Sequence, residues 1–253
     1  MPVYCVTGAN RGLGLEFVRQ LALQGSNTIL ACTRSLGSDL TDLRAAAAPS
    51  AATVHVLECD TGDEQSVAAF ATAAAKALSG AGGAQPAKID CLVNNAAVNL
   101  HVEHSSLDLA APVLAETLRV NVAGPLQTVA RLHAAGLLAG GVRVVNISSG
   151  LGSISEARAE GDDSDQPSCA YRVSKAALNM LSVQQGYDLR HRGGLKGAVV
   201  AAVDPGWVQT RMGGSEAALT PEQSVGGMLK LIGGLGDADN GGFFQYDGQK
   251  REW

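Results

Sequence analysis

The 253-residue sequence contains no block of lysine or arginine, and its net charge is −5 with an isoelectric point near 5.5. Nucleic acids and anionic membrane surfaces are held by basic patches, so neither is an expected partner. No stretch reaches the roughly 20 apolar residues that a membrane span needs. The start, Met1-Pro2-Val3-Tyr4-Cys5-Val6, has no basic leader or long apolar segment, so a cytoplasmic protein is expected. No Pro- or Ser-rich linker divides the chain, which reads as one domain over 1–253. The five cysteines lack CxxC spacing, and Cys5, Cys32, Cys59 and Cys91 fall in or beside strand-like runs, as buried reduced thiols do. His101 and His104 form HxxH without further ligands, so no metal is expected, and no GxSxG elbow supports a hydrolase triad.

What the chain does have is alternation, and 46% of its residues are hydrophobic, enough for a large core. Short β-branched and apolar runs at 3–7, 27–32, 53–58, 89–93, 142–148, 197–203 and 242–246 are separated by helical patterns at 12–25, 38–48, 63–79, 108–138, 168–191 and 220–234. Such alternation predicts a doubly wound α/β domain, a Rossmann-like parallel sheet of about seven strands with helices on both faces. Three stretches break the rhythm. Ala71 to Ala87 is Ala/Gly-rich and reads as a helix end plus a surface loop. Ser155 to Gln166 is rich in acidic residues and reads as a solvated loop. Met212 to Ala218, within a loop around 207–219, is a candidate substrate lid because loops at the carboxyl ends of strands hold ligands.

The first strand runs into Thr7-Gly8-Ala9-Asn10-Arg11-Gly12-Leu13-Gly14 and then a helix. Gly8 permits a sharp turn, and Gly12 and Gly14 let a helix N-terminus, with its free N–H groups, approach a pyrophosphate. The spacing is a variant of the dinucleotide fingerprint, with Gly8, Asn10, Arg11, Gly12, Leu13 and Gly14 as its contacts. At the end of the second strand stands Arg34, with no acid before Asp39. A carboxylate there would favour a ribose hydroxyl and an arginine a 2′-phosphate, so Arg34, with Arg11, points to NADP(H). Tyr171 and Lys175, four apart on a predicted helix, share one face, and a cation beside a phenol favours phenolate, which suits Tyr171 to general acid/base work. Asn121 precedes Pro125 by four residues, and the missing N–H of Pro125 leaves the Asn121 carbonyl free for a water.

Taken together, TGxxxGxG, Cys59-Asp60, Asn94-Asn95-Ala96-Ala97, Asn121, Asn146-Ile147-Ser148-Ser149, Tyr171 to Lys175 and Asp204-Pro205-Gly206-Trp207-Val208-Gln209-Thr210 resemble the short-chain dehydrogenase/reductases over nearly the whole chain. The segments 205–214 and 247–253 look most like the branch of the C-factor and sniffer-type carbonyl reductases. The resemblance implies that Ser149 donates to a substrate carbonyl, Tyr171 protonates it, and Lys175 holds the phenol's pKa down and binds the nicotinamide ribose, while Asn121 continues a proton path. It implies cofactor contacts from Asp60, Thr61, Asn95, Ala96, Tyr171, Lys175, Pro205, Gly206, Val208 and Thr210, and a supporting place for Ser148. Ala97 departs from the family's usual glycine.

The expected activity is NADPH-dependent reduction of an aldehyde, ketone or quinone, with a small-molecule carbonyl as partner. The alternatives are NAD-linked alcohol oxidation and a nucleotide-binding signalling protein of the C-factor type. The resemblance admits a homodimer or homotetramer.

Overall fold

The computed structural model describes residues 1–48, 51–79, 87–159 and 168–253. Among them, seven strands form one sheet: β1 (Val3–Thr7), β2 (Thr28–Thr33), β3 (Thr53–Glu58), β4 (Ile89–Asn94), β5 (Leu138–Ile147), β6 (Val199–Asp204) and β7 (Gly242–Gln245). Their order is β3-β2-β1-β4-β5-β6-β7, and every neighbouring pair is parallel. Parallel strands covered on both faces read as continuous apolar runs, and β6, Val-Val-Ala-Ala-Val-Asp, is buried at all its positions.

The helices are α1 (Gly12–Leu23), α2 (Thr41–Ala47), α3 (Glu64–Leu78), α4 (Ala111–Leu118), α5 (Gly124–Ala134), α6 (Ile154–Ala159), α7 (Cys169–His191) and α8 (Pro221–Gly234). Alternate strand residues feed two separate cores. Val6, Ile29 and Ala201 pack with Phe17, Leu21 and Met228 of α1 and α8, whereas Cys5, Leu30 and Val200 pack with Phe70, Leu132 and Leu189 of α3, α5 and α7. The strand order reverses between β1 and β4. A crevice outside the carboxyl ends of strands at such a point is where this architecture binds ligands. This is the doubly wound, Rossmann-like single domain the pattern predicts.

The predicted helix 108–138 is where the structure differs most. It divides into α4, a π-turn at Arg119–Ala123, and α5, and its last residue already belongs to β5. Pro125 has no N–H to offer the Asn121 carbonyl, and the backbone widens: the Gly124 N–H reaches the Arg119 carbonyl, five residues back. The early start of β5 was hidden by Gly140-Gly141, since glycine is depleted in strands, yet Leu138 pairs with Ile89. In the acid-rich stretch, α6 replaces the expected loop as far as Ala159, and 160–166 lies outside the described residues. The Ala/Gly-rich stretch is helical to Leu78, and 80–86 also lies outside them. Among the described residues, no helix is long and apolar enough to cross a membrane.

Candidate active site

The glycine loop sits at the switch point, between β1 and α1. Gly8 has a φ of 65°, the left-handed conformation that a side chain disfavours. Gly14 has no room for a side chain: a Cβ there would lie 2.1 Å from the Gly8 carbonyl oxygen and 2.6 Å from Asn95 Nδ2. It brings the first turn of α1 onto the loop's own backbone. Asn95 Nδ2 donates to the carbonyls of Thr7 (2.8 Å) and Gly8 (3.2 Å), and Thr7 Oγ1 accepts the backbone N–H groups of Asn95 (2.9 Å) and Ala96 (3.0 Å). Asn95 and Ala96 thereby splice the end of β4 to the loop. Across the groove, a Cβ on Gly12 would meet Thr210 Cγ2 at 3.6 Å, so Thr210 faces the start of α1. Asn10 and Leu13 are half-buried, and Leu13 packs on the core.

Arg11 caps α1 at its N-terminal end without a side-chain hydrogen bond. Its guanidinium is pushed below its ordinary pKa, first by burial and then by the charges of Arg211 and Arg34. Three cations therefore crowd one rim of the groove, and Arg211, which no motif flagged, is the third. An anion bound there would relieve their repulsion. Together with the tight loop at the head of α1, this donor set fits a phosphorylated dinucleotide.

Asp60 follows β3, where its Oδ1 accepts the Gly62 N–H at 3.0 Å. Thr61 is buried against Gly124, where a Cβ would come within 3.0 Å of the Thr61 Cβ, so its side chain is committed to packing rather than to the groove. Val208 is likewise buried, bridged to Leu219. Pro205 and Gly206 shape the turn after β6: the Gly206 N–H is held by Asp204 Oδ1 (3.1 Å), and the Pro205 carbonyl accepts from Ser224 Oγ (2.7 Å).

Beyond β5, Ser149 caps a single 3₁₀ turn, Gly150–Gly152, with its Oγ accepting the Leu151 N–H at 3.2 Å. Its side chain lies near enough to the Tyr171 phenol on α7 to bear on its ionisation. Ser148 points elsewhere, its Oγ donating to Asn179 Oδ1 at 2.6 Å, which is the supporting place expected of it. Lys175 is buried, and its Nζ donates to the Ile147 carbonyl at 2.7 Å and lies 5.2 Å from the centre of the Tyr171 ring.

The electrostatics correct one expectation. Tyr171 is raised above the ordinary phenol value, chiefly by burial and then by the Asp204 charge, while the nearby Ser149 works the other way. Lys175 is itself pushed down to about 7 by burial, against the opposing pull of Asp204. Burial is thus the leading influence on both groups, and it favours the neutral phenol and the neutral amine. It keeps Tyr171 a protonated acid, with a readily neutralised amine behind it. Desolvation outweighs the pairing that the four-residue spacing suggested.

Asn121 lies in the π-turn and is buried. Its amide grips the loop after β4 from both sides, Oδ1 accepting from Val98 N (2.8 Å) and Nδ2 donating to Val98 O (2.8 Å) and Ser174 Oγ (3.0 Å). The widened turn thus ties that loop to the residue next to Lys175. A second buried chain starts at the end of β4: Asn94 Nδ2 donates to Asn146 Oδ1 (2.8 Å), and Asn146 Nδ2 donates to Ser182 Oγ (2.9 Å) and Gln185 Oε1 (3.0 Å). It locks the centre of the sheet to α7.

The loop after β6 is fastened to itself. Trp207 Nε1 donates to the Gly213 carbonyl (2.7 Å), Gln209 Nε2 to the Ala217 carbonyl (2.9 Å), and Gln209 N to the Leu219 carbonyl (2.8 Å). Trp207 and Met212 are exposed rather than part of the core. Phe244 joins the core, whereas Phe243 stacks on Trp253 with centroids 5.3 Å apart. His101, Glu103 and His104 bring their ligand atoms within 4.8 Å on an exposed turn, where the Glu103 carboxylate is close to both imidazoles.

Residues 2–219 match the model of the short chain dehydrogenase family. The C-signal protein of Myxococcus xanthus is 38% identical over 167 residues, covering 65% of this chain and 93% of that protein. The carbonyl reductase Sniffer of D. melanogaster superposes with a TM-score of 0.81 at 26% identity, covering all of both chains. The NADPH-bound carbonyl reductase from chicken fatty liver gives 0.82 at 28% identity, covering 100% of this chain and 94% of that one. With the glycine loop, the Ser149–Tyr171–Lys175 cluster and the switch-point crevice in place, the chain belongs to the short-chain dehydrogenase/reductase family of oxidoreductases, on the branch of the C-factor and sniffer-type reductases.

Proposed function

We propose that the protein reduces the carbonyl group of an aldehyde, ketone or quinone to an alcohol, using NADPH. The observation that carries this reading is the grouping of Ser149 and Tyr171 with buried Lys175, whose Nζ lies 5.2 Å from the centre of the Tyr171 ring. A bound reduced nicotinamide supplies the hydride. Ser149 orients the carbonyl oxygen, and Tyr171, kept protonated by burial, delivers the proton that oxygen needs as it gains negative charge. Lys175 holds the floor of the site through the Ile147 carbonyl and replenishes the Tyr171 proton, with the Asn121 backbone carbonyl extending the path. Arg11, Arg34 and Arg211 supply the positive rim that favours a 2′-phosphate over a free ribose hydroxyl.

NADPH consumption against a panel of quinones, dicarbonyls and aromatic aldehydes tests this reading. Tyr171→Phe is expected to lower turnover by roughly 10²–10⁴-fold, the usual weight of a general acid. Full activity in that variant would remove Tyr171 from the role. The likeness to C-signal supports a second reading, a nucleotide-binding signalling protein. That reading predicts NADPH binding without turnover of any carbonyl in the panel.

A further inference from the structure

Arg251, the third-last residue of the sequence, reaches back to the wall of the active site. Its Nη1 donates to Asp204 Oδ2 at 2.6 Å, its Nε to Glu156 Oε1 at 3.1 Å, and its Nη2 to Glu156 Oε2. Asp204 ends β6 and also accepts the Gly206 N–H, and a Cβ on Gly150, the residue directly after Ser149, would lie 3.4 Å from its Oδ2. A Cβ on Gly150 would lie 2.5 Å from Arg251 Nη2, so this turn is shaped around the guanidinium.

The neighbouring residues fasten the same contact. Ser153 Oγ donates to the Glu252 carbonyl (2.9 Å), Ser155 N–H to the Trp253 carbonyl (2.8 Å), and Arg251 N–H to the Phe243 carbonyl (2.9 Å). Both partners of the central pair are largely withdrawn from water, with side-chain exposures of 18% for Arg251 and 8% for Asp204. An ion pair so placed is strongly disrupted when one partner goes, because the other is left buried and uncompensated.

We propose that Arg251 is a positioning residue for the catalytic serine: by clamping Asp204 and Glu156 together it fixes the Gly150–Glu156 segment, and with it Ser149, and neutralises the carboxylate nearest Tyr171 and Lys175. The proposal rests on the reading of Ser149, Tyr171 and Lys175 as the reducing site. The groups that bear on Asp204 are Arg251 and Glu156 from the tail and α6, the Gly150 and Gly206 N–H groups, and Tyr171 and Lys175 from α7. Burial raises the Asp204 carboxyl, and Arg251 is the leading influence in the other direction. Without Arg251, the Asp204 carboxyl, already raised by burial, takes up a proton at a still higher pH, and the pH profile gains that displaced ionisation.

Arg251→Gln, Arg251→Lys and Glu156→Gln in the full chain supply the test. Hydrogen exchange of the 149–156 amides reads the clamp without turnover, and exchange in Arg251→Gln is expected to quicken about tenfold or more. Turnover should fall roughly tenfold or more with NADPH affinity within about two-fold, since small misplacements of a reacting group are costly. Arg251→Lys, which keeps one charge for Asp204, should recover part of the loss. Asp204→Asn combined with Arg251→Gln should remove the added ionisation from the pH profile. If Arg251→Gln does not fold, Glu156→Gln carries the test, since it keeps the Asp204 pair and should quicken exchange at 153–156 while lowering turnover. Faster exchange with turnover and pH profile unchanged would reduce the tail to a structural staple and overturn the proposal, as would unchanged exchange. A parent protein without Tyr171-dependent reduction would instead overturn the functional reading, whatever the exchange shows.

Discussion

Lys175→Met is expected to make the protein more stable at neutral pH while abolishing most of its turnover. The lysine is buried, and its amine falls from an ordinary 10.5 to about 7 in the fold because burial disfavours the charged form. The sign follows from proton binding. Between those two values the unfolded chain holds a proton that the folded chain has given up, so stability rises with pH across that window. The penalty is complete below about 7 and gone above about 10.5. At ~1.4 kcal/mol per pH unit, the difference between 10.5 and about 7 amounts to on the order of 5 kcal/mol. Against this stands the hydrogen bond to the Ile147 carbonyl at 2.7 Å, whose loss costs about 1–3 kcal/mol if that oxygen is left unpaired. Desolvation wins, and a net gain of roughly 2–4 kcal/mol is expected near pH 7, shrinking as the pH approaches 10. Urea unfolding of parent and variant at several pH values measures it. A Lys175→Met protein less stable than the parent by the same amount at every pH would refute the reasoning, because the amine would then be favourably housed in its charged form.

Two further substitutions bear on the cofactor groove. Arg34→Ala should weaken NADPH by about 2 kcal/mol, roughly thirty-fold, the weight of a charge-assisted hydrogen bond, and leave NADH nearly unaffected. Equal weakening in a fluorescence titration would remove Arg34 from phosphate recognition. Gly14→Ala places a methyl 2.1 Å from the Gly8 carbonyl oxygen, and neither backbone can yield without disturbing the loop. A stability loss of about 1–3 kcal/mol by thermal unfolding is expected, accompanied by weaker binding of NADPH and NADH alike. A variant with parental melting behaviour would show that the loop and α1 are not packed this closely.

Much of this site was legible because its signals are local. Tyr171 and Lys175 share a helix face by spacing alone, and the glycine loop declares itself between a strand and a helix. The π-turn was half legible, since Pro125 marks the carbonyl it cannot bond. Sequence could not show that the turn would divide a predicted helix or that Asn121 would grip Val98. The clamp of Arg251 on Asp204 spans 47 positions and leaves no local pattern, and Arg211 joins Arg11 and Arg34 only because the loop after β6 folds back over α1. The weight of burial on Tyr171 and Lys175 was hidden for a related reason. Neighbouring charges can be read from spacing, whereas burial is a property of the assembled fold, and here burial dominates both Tyr171 and Lys175.

The central claim is that a reduced nicotinamide and a protonated Tyr171 act on one carbonyl carbon and its oxygen. Incubating the protein with NADPH deuterated at the transferable position and an active carbonyl from the panel, then weighing the alcohol by mass spectrometry, tests it most directly. Deuterium on the carbinol carbon, formed at a rate that collapses in Tyr171→Phe, is the predicted result. An alcohol without deuterium, or one formed as fast without the phenol, would contradict the account.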